Sequence, residues 1–391
     1  MNFPKWPFYS EDEIEIVSTI LREGKVNYWT GETTNLFEKE FSLFCGCKYS
    51  IALANGSLAL SSAYLAIGIK KGDEIITTPR SFIATASSAM LLGAIPIFAD
   101  VDINSGNITA ESIEPLINEK TKAIVVVHIG GWPAEIIKIS KLAKKYNLFL
   151  IEDCAQAHGA GLNIKNKFYS VGQFGDISTW SFCQDKIIST GGEGGMVSTN
   201  NENFYKKIWS FKDHGKSLSK ISDKSQSLSY KFIHDNLGSN FRITNIQSGI
   251  GLFQLKKIEY WNKIRSKNAE ILFNELNDIE SLRIPKPSSD LRHAWYKFTC
   301  FVKVKKLKEG WSRDQLIQRI REKGFPAFQG SCSELYLEDC FKTTNYKYKR
   351  LPVAKELGET SISLLIHPTI PEQIMYKYAK TIRKIILEVT I

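Results

Sequence analysis

The fold class this sequence predicts is α/β: a large three-layer α/β/α domain on a mostly parallel sheet, followed by a smaller C-terminal α+β domain. Three observations predict it. The 391 residues exceed one ordinary domain and suit a large domain plus a smaller one. From about residue 50 to 200, short β-rich apolar runs alternate with helix-like segments. After the segment IPKPSSD the composition changes to strand-like WYKFTCFVKV. We place the large domain at residues 1–255, with the N-terminal segment, and the smaller one at 256–391.

Taken in order, the strand candidates are EIITTP, IPIFADVD, AIVVVHI, LFLIEDC, ISTWSFC and GMVSTN. They are apolar nearly throughout, so both faces of their sheet are expected to lie under helices such as ALSSAYLAIG and AEIIKISKLAKKY. The polar, Ser/Lys-rich stretch KSLSKISDKSQSLS predicts a surface excursion. Periodic apolar residues from Thr244 to about Leu276 predict one long helix or two joined ones. DQLIQRIREKG reads as a helix of the second domain, and a last amphipathic helix is expected from Pro371 onward.

The composition is that of a soluble globular protein, with 43% hydrophobic and 24% charged residues. A net charge of +10 admits nucleic acid, an anionic small substrate or a lysine-rich surface. The longest basic cluster, VKVKKLK, alternates with or adjoins apolar residues as a surface strand does, and no tract resembles a nucleic-acid arm. An anionic metabolite therefore fits better than nucleic acid. Seven scattered cysteines lack zinc or disulfide spacing, which points to a reducing cytoplasm. Neither an export signal nor a run of apolar residues long enough to span a membrane is present.

Chemistry concentrates at three places. Lys186 follows the strand ISTWSFC and precedes the glycine cluster GGEGG, where the backbone turns sharply at a strand end. Open α/β sheets bind ligands at such ends, although a lone lysine there is more often a solvated surface residue. Upstream, LFLIEDCAQAHGA puts Glu152 and Asp153 at the end of another apolar strand, and a carboxylate buried there needs a cationic partner. Further upstream, Asn55, Gly56 and Ser57 join a short strand to a helix, a corner that binds phosphate or is simply capped by serine. A phosphate cradle, a carboxylate for a protonated pyridine and a lysine for an aldehyde are together the polar requirements of pyridoxal 5'-phosphate (PLP).

Over essentially the whole chain the sequence resembles the DegT/DnrJ/EryC1/StrS family of PLP-dependent nucleotide-sugar aminotransferases, of the fold-type-I, aspartate-aminotransferase-like class. The segments that carry the resemblance are GKVNYWTGETTNLFEKEF, NGSLAL, GDEIITTPRSFIATASSAMLLGAIPIFADVD, VVVHIGGWPAE, IEDCAQAHGA, SFCQDKIISTGGEGGMV and GSNFRITNIQSGIGLFQL. The resemblance implies that Lys186 carries the cofactor, that Asp153 pairs with its ring nitrogen, and that Phe82 stacks on the ring with Gln156 nearby. It implies that Ser57, the backbone of Leu58 and Ser181 hold the phosphate, and that Asn240 reaches it from the other subunit of a homodimer with shared active sites.

Relatives with histidine in place of the lysine act as dehydratases, whereas Lys186 makes a full aminotransferase cycle available. KIISTGGEGG resembles the run of members that aminate C4, with one extra glycine, and GGWP replaces a usual tyrosine-containing turn. The implied reaction moves an amino group from L-glutamate onto a nucleotide-linked 4-keto-6-deoxy sugar, of the kind that feeds bacterial surface polysaccharides. C3 amination is the alternative, and a PLP-binding regulatory module without turnover is the alternative of a different class.

Six histidines show no metal-ligand spacing, so no metal is assigned. His128 and His158 are expected to be structural, and His214, in DHGK, is a candidate for the substrate channel. Cys154 and Cys183 read as small core fillers. Tyr28, Trp29, Trp132, Trp295 and Tyr296 fit either a wall against a base or hexose, or core.

Overall fold

The computed structural model of the chain describes residues 3–222, 232–342 and 348–391. Part of the polar stretch expected as a surface excursion, residues 223–231, lies outside the described residues.

The strands of the large sheet are β1 (Tyr49–Leu53), β2 (Glu74–Thr77), β3 (Ile95–Phe98), β4 (Thr121–Val127) and β5 (Phe149–Asp153), joined later in the chain by two more. Between those groups lies the hairpin β6 (Gly161–Ile164) and β7 (Lys167–Ser170), and the sheet is completed by β8 (Ile177–Ser181) and β9 (Gly195–Thr199). Their order is β1-β9-β8-β5-β4-β2-β3. All of them run parallel except β9, which pairs antiparallel with both β1 and β8.

Strand periodicity builds the layers. In β4, Ile124 and Val126 join one apolar cluster while Ala123 and Val125 join another. Neighbouring β5 divides the same way, Leu150 to the first and Ile151 to the second. A strand with both faces covered has no polar side to show, which is why these runs read as continuously apolar. The helix Gly56–Ala66 lies in the second cluster through Ala59, Leu60 and Ala63, and the helix Ile136–Lys145 in the first through Ile136, Ile139 and Leu142.

The stretch from Thr244 forms one helix, Asn245–Leu276, of 32 residues. Thr244 caps it by accepting the Gln247 N–H, and the Gln247 side chain returns to the Thr244 N–H. Its first half adds Leu252, Ile258 and Trp261 to the large core, and its second half adds Ala269, Leu272 and Leu276 to a separate core. Residue 255 therefore falls inside a continuous helix. That second core closes around β12 (Phe298–Val302) and β13 (Ser361–Leu364), which follow the short strands β10 (Leu282–Arg283) and β11 (Leu291–Arg292). The helices Arg313–Glu322 and Glu372–Val389 cover it, the latter beginning right after Pro371.

One expectation is corrected. VKVKKLK is not a strand beyond Val302: residues 304–306 form a single tight helical turn, with Lys303, Lys305 and Lys306 exposed. Leu307 is buried beside the C-terminus and the Lys308 N–H donates to the Val389 carbonyl, so burial of one leucine bends the chain off the sheet. Among the described residues no helix is long and apolar enough to cross a membrane.

Candidate active site

Because β2, β4, β5 and β8 are parallel, their C-terminal ends gather at one edge, and the loops leaving them meet residues 293–301 and 330–335 there. A cleft of about 450 Å³ opens at this edge. Lys186, Phe82 and Gln156 line it, together with Trp132, Trp295 and Tyr296. Asp153 ends β5 and is only 4% exposed.

The backbone of this edge depends on one glycine in particular. Gly131 has φ +92°, and a Cβ on it would stand 3.1 Å from Ala294 Cβ, from the Gln156 carbonyl and from the Trp295 nitrogen. Its carbonyl accepts the Ala294 N–H and that of Gly130 accepts the Tyr296 N–H, so the loop after β4 clasps the segment that brings Trp295 and Tyr296 to the cleft. Gln156 adds to the clasp by accepting the Gly130 N–H at 2.8 Å.

Two adjacent buried carboxylates sit at the end of β5. Glu152 accepts N–H bonds from Gly172, Phe174 and Gly175 at 2.7–2.8 Å. It also accepts from His128 Nε2 at 3.0 Å. His128 Nδ1 accepts the Ala134 N–H, so the proton of the neutral ring sits on Nε2. Among the described residues, the Asp153 carboxylate accepts the Thr85 hydroxyl at 2.8 Å and the Ala155 N–H at 3.1 Å and nothing else. Burial pushes its carboxyl above the usual range, against the opposite pull of Ala155, Thr85, Lys186 and His128. Such a carboxylate is short of one cation, which a protonated pyridine nitrogen would supply.

Lys186, with a side chain 15% exposed, puts Nζ 3.2 Å from Asp185 Oδ1 and 3.5 Å from the Tyr296 hydroxyl. Tyr296 in turn donates to Asp185 Oδ2. Burial raises the Asp185 carboxyl, but Lys186, Tyr296 and Lys297 together bring it below its ordinary value. Burial and Asp185 hold the Tyr296 phenol well above its ordinary value, so it remains a donor. Trp6 Nε1 anchors the turn by donating to the Lys186 carbonyl at 2.8 Å.

At the other expected corner, the helix Gly56–Ala66 starts against the ends of β8 and β9. A Cβ on Gly56 would stand 2.7 Å from Ser181 Cβ, so only glycine lets the helix start this close to that strand. Ser57, at the exposed first turn, and Ser181 thus share one corner. The Leu58 N–H, expected to face phosphate, donates here to Asn55 Oδ1 at 2.9 Å as an N-cap. Asn240 is exposed, holds the Arg242 N–H and is not on the cleft lining.

Phe82 is 67% exposed, an apolar ring with an open face on the cleft wall. An open aromatic face, a buried carboxylate short of a cation, a half-sheltered lysine and a hydroxyl-bearing helix start fit PLP. Lys186, Asp153 and Phe82 are the residues that would hold its ring.

Reading the sequence missed several partners. Thr85 lies in the quoted run SFIATA, yet only the fold shows that its hydroxyl reaches Asp153. Asp185 precedes the lysine directly, and its acidity beside a basic residue was the available signal. Trp132, Trp295 and Tyr296 line the cleft, whereas Tyr28 and Trp29 pack with Trp209 and take Lys212 and Lys216 over their rings. Cys154 is fully buried, but Cys183 is partly exposed and 3.7 Å from Glu193, so it is not core. His128, Glu152 and Cys154 offer ligand atoms within 4.8 Å of one another, but both nitrogens of His128 and both oxygens of Glu152 are already hydrogen-bonded. His158 is buried between Trp180 and Phe182, and burial lowers its pKa to about 3.

A family model described as the DegT/DnrJ/EryC1/StrS aminotransferase family matches residues 7–382. A solved aminotransferase from Psychrobacter cryohalolentis is 44% identical, with a TM-score of 0.96 over 99% of this chain and 100% of that one. GDP-perosamine synthase of Escherichia coli O157:H7 is 34% identical over 88% of each chain. The dTDP-3-amino-3,6-dideoxy-alpha-D-galactopyranose transaminase of Aneurinibacillus thermoaerophilus is 28% identical over 96% of each.

Proposed function

We propose, for a chain that belongs to the DegT/DnrJ/EryC1/StrS aminotransferase family and is therefore a PLP-dependent sugar aminotransferase, that it delivers nitrogen from L-glutamate to C4 of a nucleotide-linked 4-keto-6-deoxy sugar. The product is a 4-amino-4,6-dideoxy sugar nucleotide. The observation that carries the aminotransferase chemistry is Lys186, sheltered at the cleft beside Asp185 and Tyr296, at the same sheet edge as an Asp153 that lacks a cation. The similarity to GDP-perosamine synthase, whose product is a 4-amino sugar, supports C4. The similarity to a 3-amino transaminase supports the second reading, C3.

Bound PLP supplies an electron sink for the amino carbon. The chain's own residues do the rest. Asp153 holds the proton on the ring nitrogen, and Thr85 and Ala155 fix the carboxylate that does so. Phe82 covers one ring face, and Ser57 and Ser181 receive the phosphate. With the cofactor bound, Lys186 Nζ would be the group that carries the proton between the two carbons. Tyr296 and Asp185 keep Nζ within reach during that transfer.

The same reading makes the protein a cytoplasmic homodimer in which Asn240 serves the partner's site. Phe232 and Leu237, 88% and 96% exposed in the same chain segment as Asn240, support it as apolar surface that a partner subunit would cover. The division at residues 255 and 256 then makes the long helix a strut shared by both domains.

The test is to incubate the PLP-loaded protein with L-glutamate and either a 4-keto-6-deoxy sugar nucleotide or its 3-keto isomer, and to locate the new C–N bond by NMR. Nitrogen at C4 is expected; consumption of the 3-keto isomer alone overturns the assignment. Mixed dimers of Lys186→Ala and Asn240→Ala chains are expected to recover part of the activity, and no recovery contradicts a shared site.

A further inference from the structure

Three cations line the cleft, and they differ in what they face. Lys186 and Lys297 both feel the carboxylate of Asp185. Arg80 is only 4% exposed, and among the described residues no carboxylate pairs with it. Glu334, next in the chain to its partner Ser333, is paired with Arg350, and Glu338 lines the same cleft but lies 3.9 Å from the Cys332 thiol and does not contribute to the setting of Arg80. Burial pushes the guanidinium down to about 10, with Cys332 raising it and Arg313 lowering it. By contrast Arg313, also buried, is paired with Asp314 at 2.7 Å. A buried guanidinium without an acid is costly unless something completes it.

The geometry says where completion occurs. Nη1 donates to Ser333 Oγ at 2.7 Å, which ties the loop after β2 to the second domain. The other edge, Nε and Nη2, faces glycines. A Cβ on Gly106 would stand 3.3 Å from Nε, and one on Gly330 would stand 3.7 Å from Nη2. Both glycines line the cleft. Nε–H and Nη2–H form the side of the fork that grips two oxygens at once.

We propose that Arg80 fixes an oxyanion of a reactant in the cleft, through Nε–H and Nη2–H, while Ser333 holds Nη1. The oxyanion is the carboxylate of the amino donor or the diphosphate of the sugar nucleotide. This rests on the reading of the reaction given above.

The experiment titrates the PLP-loaded protein with glutarate and, separately, with inorganic pyrophosphate by calorimetry, for the native chain, Arg80→Met and Arg80→Lys. Losing a bidentate, charge-assisted pair weakens one probe by about tenfold or more in Arg80→Met. Arg80→Lys restores only part, because an ammonium lacks the fork. Loss for glutarate assigns the donor carboxylate, and loss for pyrophosphate assigns the diphosphate. Unaltered binding of both probes by Arg80→Met, or no binding of either by the native chain, overturns the proposal. If Arg80→Met does not fold, Arg80→Lys carries the test alone, and native affinity for both probes in that variant overturns it. Failure of the reaction assignment shows separately, as a native chain that binds a probe but gives no visible absorbance with PLP.

Discussion

Glu152 and Asp153 are neighbours on one strand, both buried, and the fold treats them in opposite ways. Glu152 points to the closed side, where four N–H groups, one of them from His128, surround it. Asp153 points to the cleft side, where one hydroxyl and one N–H leave it incomplete and burial pushes its carboxyl up. The difference teaches that burial alone does not mark a functional acid. What marks it is a shortage of donors facing a ligand-sized space.

The largest effect expected on the cleft side comes from Lys186→Ala. It should lower turnover roughly a thousandfold or more, and should remove the visible absorbance of the cofactor on its lysine. Normal transamination by this variant breaks the account of the cleft side outright.

On the closed side, Glu152→Gln should act on stability instead. An amide NH2 would meet backbone N–H donors that now share a carboxylate, at a cost of about 3–5 kcal/mol in urea unfolding of the cofactor-free protein. Unchanged stability would erase the contrast between the two acids.

Asp153→Asn sharpens the comparison through its sign. Since the folded carboxyl sits above its unfolded value of about 3.9, the folded state binds the extra proton and stability falls as pH rises through that window. Cofactor-free Asp153→Asn should therefore gain in Tm over the native chain as pH is raised from about 4 to neutrality, while retaining PLP poorly. A Tm difference that shrinks with rising pH contradicts the sign.

Thr85→Val should have the smallest effect. Loss of one hydrogen bond to a charged acceptor should weaken PLP retention by about tenfold in dialysis measurements, without disturbing Glu152.

Much of this was legible in the sequence, for reasons that the two acids also illustrate. Strands buried on both faces are apolar at every position, so β2 to β5 and β8 stand out, and the acids and the lysine at their ends stand out in turn. What was not legible depends on residues far apart in the chain. The donors to Glu152 come from the loop Gly172–Gly175, and the contacts of Lys186 and Arg80 come from Tyr296 and Ser333, more than a hundred residues further along the chain. The capping of Leu58 by Asn55 was local, but a cap and a phosphate site share one sequence signature. VKVKKLK misled because alternation suits both a strand and a chain that leaves the sheet to bury Leu307.

The most direct test is the visible spectrum of PLP-loaded native protein titrated with L-glutamate, beside Asp153→Asn treated identically. The account requires the native band to disappear with release of 2-oxoglutarate, and the Asp153→Asn protein to respond far more slowly. A native band that persists at every glutamate concentration, or an Asp153→Asn protein that responds at the native rate, contradicts it.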